Sequence, residues 1–220
     1  MSVRLMAGVP TGYLDPQLPF PPSLHTATVG IELAPGLGIS LDGKALLVGH
    51  REQPGQTTII GHLEDGTFPQ RDFTVISDGQ ATEVDGLHHF QDYRLEKQGN
   101  LTVADCQEDL NDFTIRDDGT TLRVDSMFSG RAWTATRQGD AAEVRSDWED
   151  GETFRLTQQG DTTLVESNLP EQSFSLTRHS DGRITIDGHY AFQDFELSPT
   201  GDGFVLQGHF PQQRFAISQS

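Results

Sequence analysis

The sequence predicts an all-β chain of tandem β-hairpin repeats, 20 or 21 residues each, forming a curled antiparallel meander behind a proline-rich N-terminal arm. Three observations carry this reading. An aromatic side chain returns at Phe73, Tyr93, Phe113, Trp133, Phe154, Phe174, Phe195 and Phe215. Two residues after each anchor stands an apolar residue (Val75, Leu95, Ile115, Ala135, Leu156, Leu176, Leu197, Ile217), with a mostly polar one between. That is the period-two alternation of a half-buried strand. Six residues after the anchor a glycine recurs at Gly79, Gly99, Gly119, Gly139, Gly160 and Gly201, where the chain can reverse.

Taken in chain order, residues 1–28 form the arm. Five of the eleven prolines lie between Pro10 and Pro22, and Leu18-Pro19-Phe20-Pro21-Pro22 lacks donors for a regular ladder. The arm is expected to cover an open sheet edge or to dock a partner. Residues 29–220 form one β-repeat domain. A divergent unit is visible in Ile39, Leu41, Asp42-Gly43, Leu46 and Val48, Gly49 to Gly61 fits the pattern loosely, and regular repeats run from about 61 to 220.

Within each unit a first strand at the anchor is followed by the glycine turn and a second strand, as in Leu101/Val103, Leu122/Val124, Ile184/Ile186 and Phe204/Leu206. Folding one hairpin about Lys97-Gln98-Gly99 sets Leu95 opposite Leu101 and Tyr93 opposite Val103. A further apolar position (Phe68, Phe90, Leu110, Phe128, Leu169, Phe192, Phe210) marks the bend into the next unit. A β-solenoid is the alternative architecture, and a small propeller is the third. A transmembrane barrel is disfavoured by strands shorter than the roughly 9–11 residues needed to cross a bilayer.

Charge narrows the function classes. With 33 acidic against 15 basic residues the formal net charge is −18, a field that repels nucleic-acid phosphates and anionic lipid and attracts basic proteins. Asp72, Asp92 and Asp112 each precede an anchor and fall on the outward face; Arg71, Arg94 and Arg116 are near enough in sequence to neutralise them. A second acidic cluster surrounds Trp148 and includes Asp147, Glu149 and Asp150. These seven residues are the candidate partner-binding set.

The expected function is a non-catalytic acidic scaffold that binds a basic protein, in the manner of an inhibitor, immunity protein or assembly adaptor. Sheet edges offer a route to oligomers. A carbohydrate-binding module using Trp133 or Trp148 is the alternative, and an enzyme with an unrecognised site is the third reading. Cys106 with His88-His89 is the one candidate for thiol chemistry, and as the single cysteine it excludes an intrachain disulfide. Gly-His dipeptides (Gly49-His50, Gly61-His62, Gly188-His189, Gly208-His209) and Gly-Asp turns lack the spacing of metal sites, so no cofactor or metal is expected. The N-terminal segment carries no secretory pattern, which makes the cytoplasm the expected setting.

Overall fold

The computed structural model describes residues 3–14, 27–61, 72–107, 109–127, 132–147 and 151–220. Four strands come first: β1 (Leu5–Tyr13), β2 (Thr28–Ala34), β3 (Leu37–Ser40) and β4 (Ala45–Val48). Sixteen follow. They are β5 (Gly55–Ile60), β6 (Phe73–Ser77), β7 (Ala81–Gly86), β8 (Tyr93–Gln98), β9 (Leu101–Cys106), β10 (Phe113–Asp117), β11 (Thr121–Ser126) and β12 (Trp133–Gln138), then β13 (Ala141–Ser146), β14 (Thr153–Gln159), β15 (Thr162–Ser167), β16 (Phe174–Arg178), β17 (Ile184–Gly188), β18 (Phe195–Pro199), β19 (Gly203–Gly208) and β20 (Arg214–Gln219).

All pairing is antiparallel, and it makes two closed barrels: β1–β4 form one and β5–β20 the other. Both the open curled meander and the solenoid are thereby corrected. The reason lies in the loosely patterned segment after Gly49. The chain ends on the first strand of the eighth unit, β20, and β5 supplies its missing second strand through Ile217↔Ile59 and Gln219↔Thr57. Two backbone bonds, Gln56 N–H to Ser220 O (3.0 Å) and Ser220 N–H to Gln56 O (2.9 Å), finish the seam. Eight hairpins thus close a ring, which removes the exposed strand edges that an open sheet would carry.

The small barrel lies inside the large one. Nearly every residue of β2, β3 and β4 is buried, whichever face of its strand it occupies. The inner strands meet the outer wall at well-separated sectors. The Tyr93 hydroxyl of β8 donates to Val48 O at 3.2 Å, the Arg178 guanidinium of β16 donates to Glu32 O and Leu33 O, and a Cβ on Gly12 would strike the Phe215 ring of β20. The dimensions agree: strands spaced about 4.8 Å and tilted about 40° give backbone radii of roughly 16 Å for sixteen strands and 4–5 Å for four. The gap of about 11 Å is close to the ~10 Å at which two sheets pack face to face.

Residues 5–13, assigned by the sequence to the extended arm, therefore form β1, the strand that pairs both β2 and β4. The divergent hairpin read at Ile39–Val48 is β3 and β4 of the same inner barrel.

The hairpin register also differs from expectation. Gln98 pairs with Leu101, so the turn is the two-residue Gly99-Asn100, with Gly99 at φ 66°. A two-residue hairpin loop with glycine at its first central position is a favoured solution for twisted strands. Tyr93 then faces Cys106 and Leu95 faces Ala104. Relative to the predicted pairing the strand has slid by an odd number of residues, which exchanges its faces. Thr102, Ala104 and Cys106 point inward, while Leu101 and Val103 lie half-exposed outside.

Candidate interface at the connection rim

The two ends of the outer barrel differ in chemistry. At one end lie the glycine turns. At the other, here called the connection rim, each hairpin passes to the next, in five cases among the described residues through a single 3-10 turn: His89–Gln91, Asp109–Asn111, Pro170–Gln172, Ala191–Gln193 and Pro211–Gln213.

A repeated set of side chains builds this rim. The residue opposite each anchor ring is small: Phe73↔Gly86, Tyr93↔Cys106, Phe113↔Ser126, Trp133↔Ser146, Phe154↔Ser167, Phe174↔Gly188 and Phe195↔Gly208. Space is the cause, because a Cβ on Gly208 would come within 2.7 Å of both the Phe195 ring and Gln213 Cβ. The backbone N–H of that small residue is then bound by the residue just before the next anchor. Gly86 donates to Asp92 (3.0 Å), Cys106 to Asp112 (2.8 Å), Gly188 to Asp194 (2.9 Å) and Gly61 to Asp72 (2.8 Å).

A side-chain amide two residues before the anchor, buried at Gln91 and Gln213 and half-buried at Gln193, completes the turn. Gln91, Gln193 and Gln213 each accept the N–H of the residue that opens their own turn, His88, Tyr190 and Phe210, at 2.8–3.0 Å. Gln193 also donates to Glu171 O and Gln213 to Phe192 O, which ties each turn to the one before.

The candidate residues can now be placed. Asp72, Asp92 and Asp112 stand together as half-buried members of this rim, each with one carboxylate oxygen engaged by main chain. Arg94 is committed elsewhere, to Glu83 and Glu96. Asp147 is exposed and ion-paired with Arg123 at 3.1 Å. Trp148, Glu149 and Asp150 lie outside the described residues, as do Arg71, Phe68 and Phe128. Trp133 is partly buried against the core, its ring 6.3 Å from that of Phe154.

Cys106 and the neighbouring histidines do not assemble a nucleophile. The buried thiol donates to Asn111 O at 3.4 Å, and burial first, then Asp112 and Asp105, push it up to about 12. His89 points to solvent and pairs with Asp92 at 3.2 Å. Among the described residues no group of three or more His, Cys, Asp or Glu side chains could hold a metal ion.

What the rim does present is apolar surface beside negative charge. Of the large hydrophobic side chains exposed among the described residues, Leu87, Phe90, Met127, Leu169, Tyr190 and Phe210 all belong to its connections. Just beneath, the outward position before each small residue carries a carboxylate in five units: Asp85, Asp105, Asp125, Glu166 and Asp187. In the sector of β7, β8 and β9 these features meet at a groove of about 330 Å³ lined by Glu83, Asp85, Asp92 and Asp105 around the single Arg94. Leu87 and Phe90, 54% and 40% exposed, stand on the connection that leaves β7.

Sequence reasoning placed Asp92 in the partner-binding set, considered Asp85 only as a carboxylate to orient a thiol–histidine pair, and missed Glu83 and Asp105. The signal was present in the 20-residue recurrence of Asp85, Asp105 and Asp125. Comparison of the chain with protein-family models, with curated proteins and with solved structures returns no match.

Proposed function

We propose that the protein is a non-catalytic binding protein whose connection rim receives a basic, amphipathic segment of another protein. The groove between β7 and β9 carries this reading: four carboxylates face one guanidinium, and Leu87 and Phe90 lie at hand to cover the apolar side of the segment. An apolar patch bordered by charge is the usual anatomy of a protein interface, and the −18 net charge favours encounter with cations. Asp72, Asp112 and Asp147 extend the negative surface along the same rim. A second copy of the chain is a poor occupant, because the two carboxylate belts would face each other.

The outer wall argues against lipid as the occupant of the barrel's exterior. It carries ion pairs such as Arg94–Glu83, Arg123–Asp125 and Arg145–Glu143, whereas a bilayer-spanning barrel turns an apolar band outward. No helix among the described residues is long and apolar enough to cross a membrane. The cytoplasm is the proposed setting, where a lone thiol such as Cys106 stays reduced.

The test is titration of the full chain with a labelled leucine/lysine peptide, alongside a leucine/glutamine peptide of equal length, followed by fluorescence anisotropy. Binding of the lysine peptide should weaken steeply between low and physiological salt, and the paired substitution Asp85→Asn and Asp105→Asn should lower affinity several-fold, at about 0.5–1 kcal/mol per carboxylate. Leu87→Ser should weaken it further. Salt-independent binding, or unchanged affinity in the paired variant, would remove the proposal.

A further inference from the structure

Closure of the outer barrel leaves no strand edge for another chain to extend, so self-association has only faces to use. Most of the wall is laced with charge. From β7 round to β18, no two adjacent strands lack an outward charged side chain.

The seam sector is different. The register sets Val205, Ala216 and Ile60 side by side in one outward row of β19, β20 and β5, and Ser218, Thr58 and Thr74 in the next row of β20, β5 and β6. Ile76 follows on β6. Across these four strands the one outward charge is Arg214, at the rim end of β20. Ile60 and Ile76, 40% and 51% exposed, are also the only large hydrophobic side chains exposed on the wall itself among the described residues, the others standing on connections. Ion pairs border the sector on both sides, Arg94–Glu83 beyond β6 and Arg183–Glu196 beyond β19.

We propose that this seam face is where two copies of the chain meet as a weak two-fold dimer. An uncharged centre bordered by charge is the anatomy of a protein interface. Charge selects the occupant. Each copy carries a net −18, so two copies repel wherever carboxylates face each other, and the seam is the one broad sector where neither brings charge against the other. A partner recognised by its charge would find nothing here to bind. Geometry agrees, because a two-fold axis lying in the face and crossing it between Thr58 and Thr74 lays Ile60 of each copy over Ile76 of the other. Four strands spaced about 4.8 Å and about 20 Å long offer roughly 400 Å² per copy, the size of a transient contact rather than an obligate one. The contact leaves the connection rim free and does not depend on it.

Sedimentation velocity of the full chain over a range of concentrations, in low salt and in about 0.5 M NaCl, tests the proposal. A reversible monomer–dimer equilibrium should appear, several-fold tighter in high salt, where the mutual repulsion of the two copies is screened; peptide binding at the rim has the opposite salt dependence. The paired substitution Ile60→Thr and Ile76→Thr keeps net charge and strand preference and should weaken dimerisation about tenfold while leaving rim binding intact. Ser218→Glu should weaken it as well, by setting like charges together at the middle of the face. Leu87→Ser, at the rim, should not. A parent chain that stays monomeric in both salts, association that fades as salt rises, or a dimer that survives the isoleucine substitutions would each overturn the proposal, and loss of the dimer in Leu87→Ser alone would place the contact at the rim instead.

Discussion

At the scale of single residues, the most telling position is Cys106. It occupies the place that other units give to glycine or serine, and the reason is the Tyr93 ring lying across from it. The thiol is a small packing group whose pKa burial pushes up to about 12, so near neutral pH almost none of it is the reactive thiolate. In the native protein Cys106 should resist a thiol reagent such as DTNB and should react promptly once urea unfolds the chain. Cys106→Ser should cost less than ~1.5 kcal/mol, because serine already serves at Ser126, Ser146 and Ser167, whereas Cys106→Leu should cost about 1–3 kcal/mol by overpacking against the ring. Rapid labelling of the folded protein would refute this account. The anchors were legible in the sequence because an aromatic every 20 or 21 residues is a strong periodic signal. The small residue opposite was not, since glycine, serine and cysteine share little except size.

Among the elements, the 3-10 turns decide how one hairpin is joined to the next. Gln213 shows the principle most fully. It is 1% exposed, accepts the Phe210 N–H at 2.9 Å, and donates to Phe192 O and to Leu14 O, both at 2.7 Å. One amide thus binds its own turn, the preceding turn and the inner barrel. Gln213→Leu would leave several main-chain groups without partners in a place water does not reach, for a loss on the order of 3 kcal/mol. Gln213→Glu keeps the acceptor and loses the donors, so it should also be destabilising at neutral pH. Urea denaturation of the two variants measures both effects, and a leucine variant as stable as the parent would show that the amide ladder contributes little. Of the seven apolar bend positions read from the sequence, Phe90, Leu169 and Phe210 are exposed on the connections, Phe192 is half-buried, and Phe68 and Phe128 lie outside the described residues. The capping role of Asp92 and Asp112 escaped notice because their partners are backbone N–H groups, which leave no mark on composition. The same limit explains the register: whether the loop is two residues or three decides which face Leu101 takes, and only the pairing Gln98↔Leu101 resolves it.

For the whole molecule, closure is the property that local pattern conceals. Every neighbouring hairpin pair could be read from adjacent sequence, yet the bond that makes a barrel joins β5 to β20, the first and last strands of the outer wall, more than 150 residues apart. Nesting is concealed for a similar reason. The five prolines between Pro10 and Pro22 read as an arm over residues 1–28, while the strand at Leu5–Tyr13 gains its stability from β2, β4 and the surrounding wall. A closed ring and an open stack of repeats respond differently to loss of the last strand. In an open stack, stability is a sum of units and neighbour contacts, so trimming one end subtracts a share and leaves the rest cooperative. Here, deletion of residues 214–220 would expose the edges of β19 and β5 and remove Phe215 and Ile217, 0% and 2% exposed, from the shared core. Losing Phe215 alone is worth about 3–5 kcal/mol, a large part of a typical domain's 5–15 kcal/mol. The shortened chain should therefore lose its cooperative urea transition and associate through its bare strand edges, which light scattering and sedimentation velocity would register. A monomer that unfolds cooperatively, with a denaturant slope lowered only in proportion to the missing residues, would mean that the inner barrel and the remaining hairpins hold together without the seam.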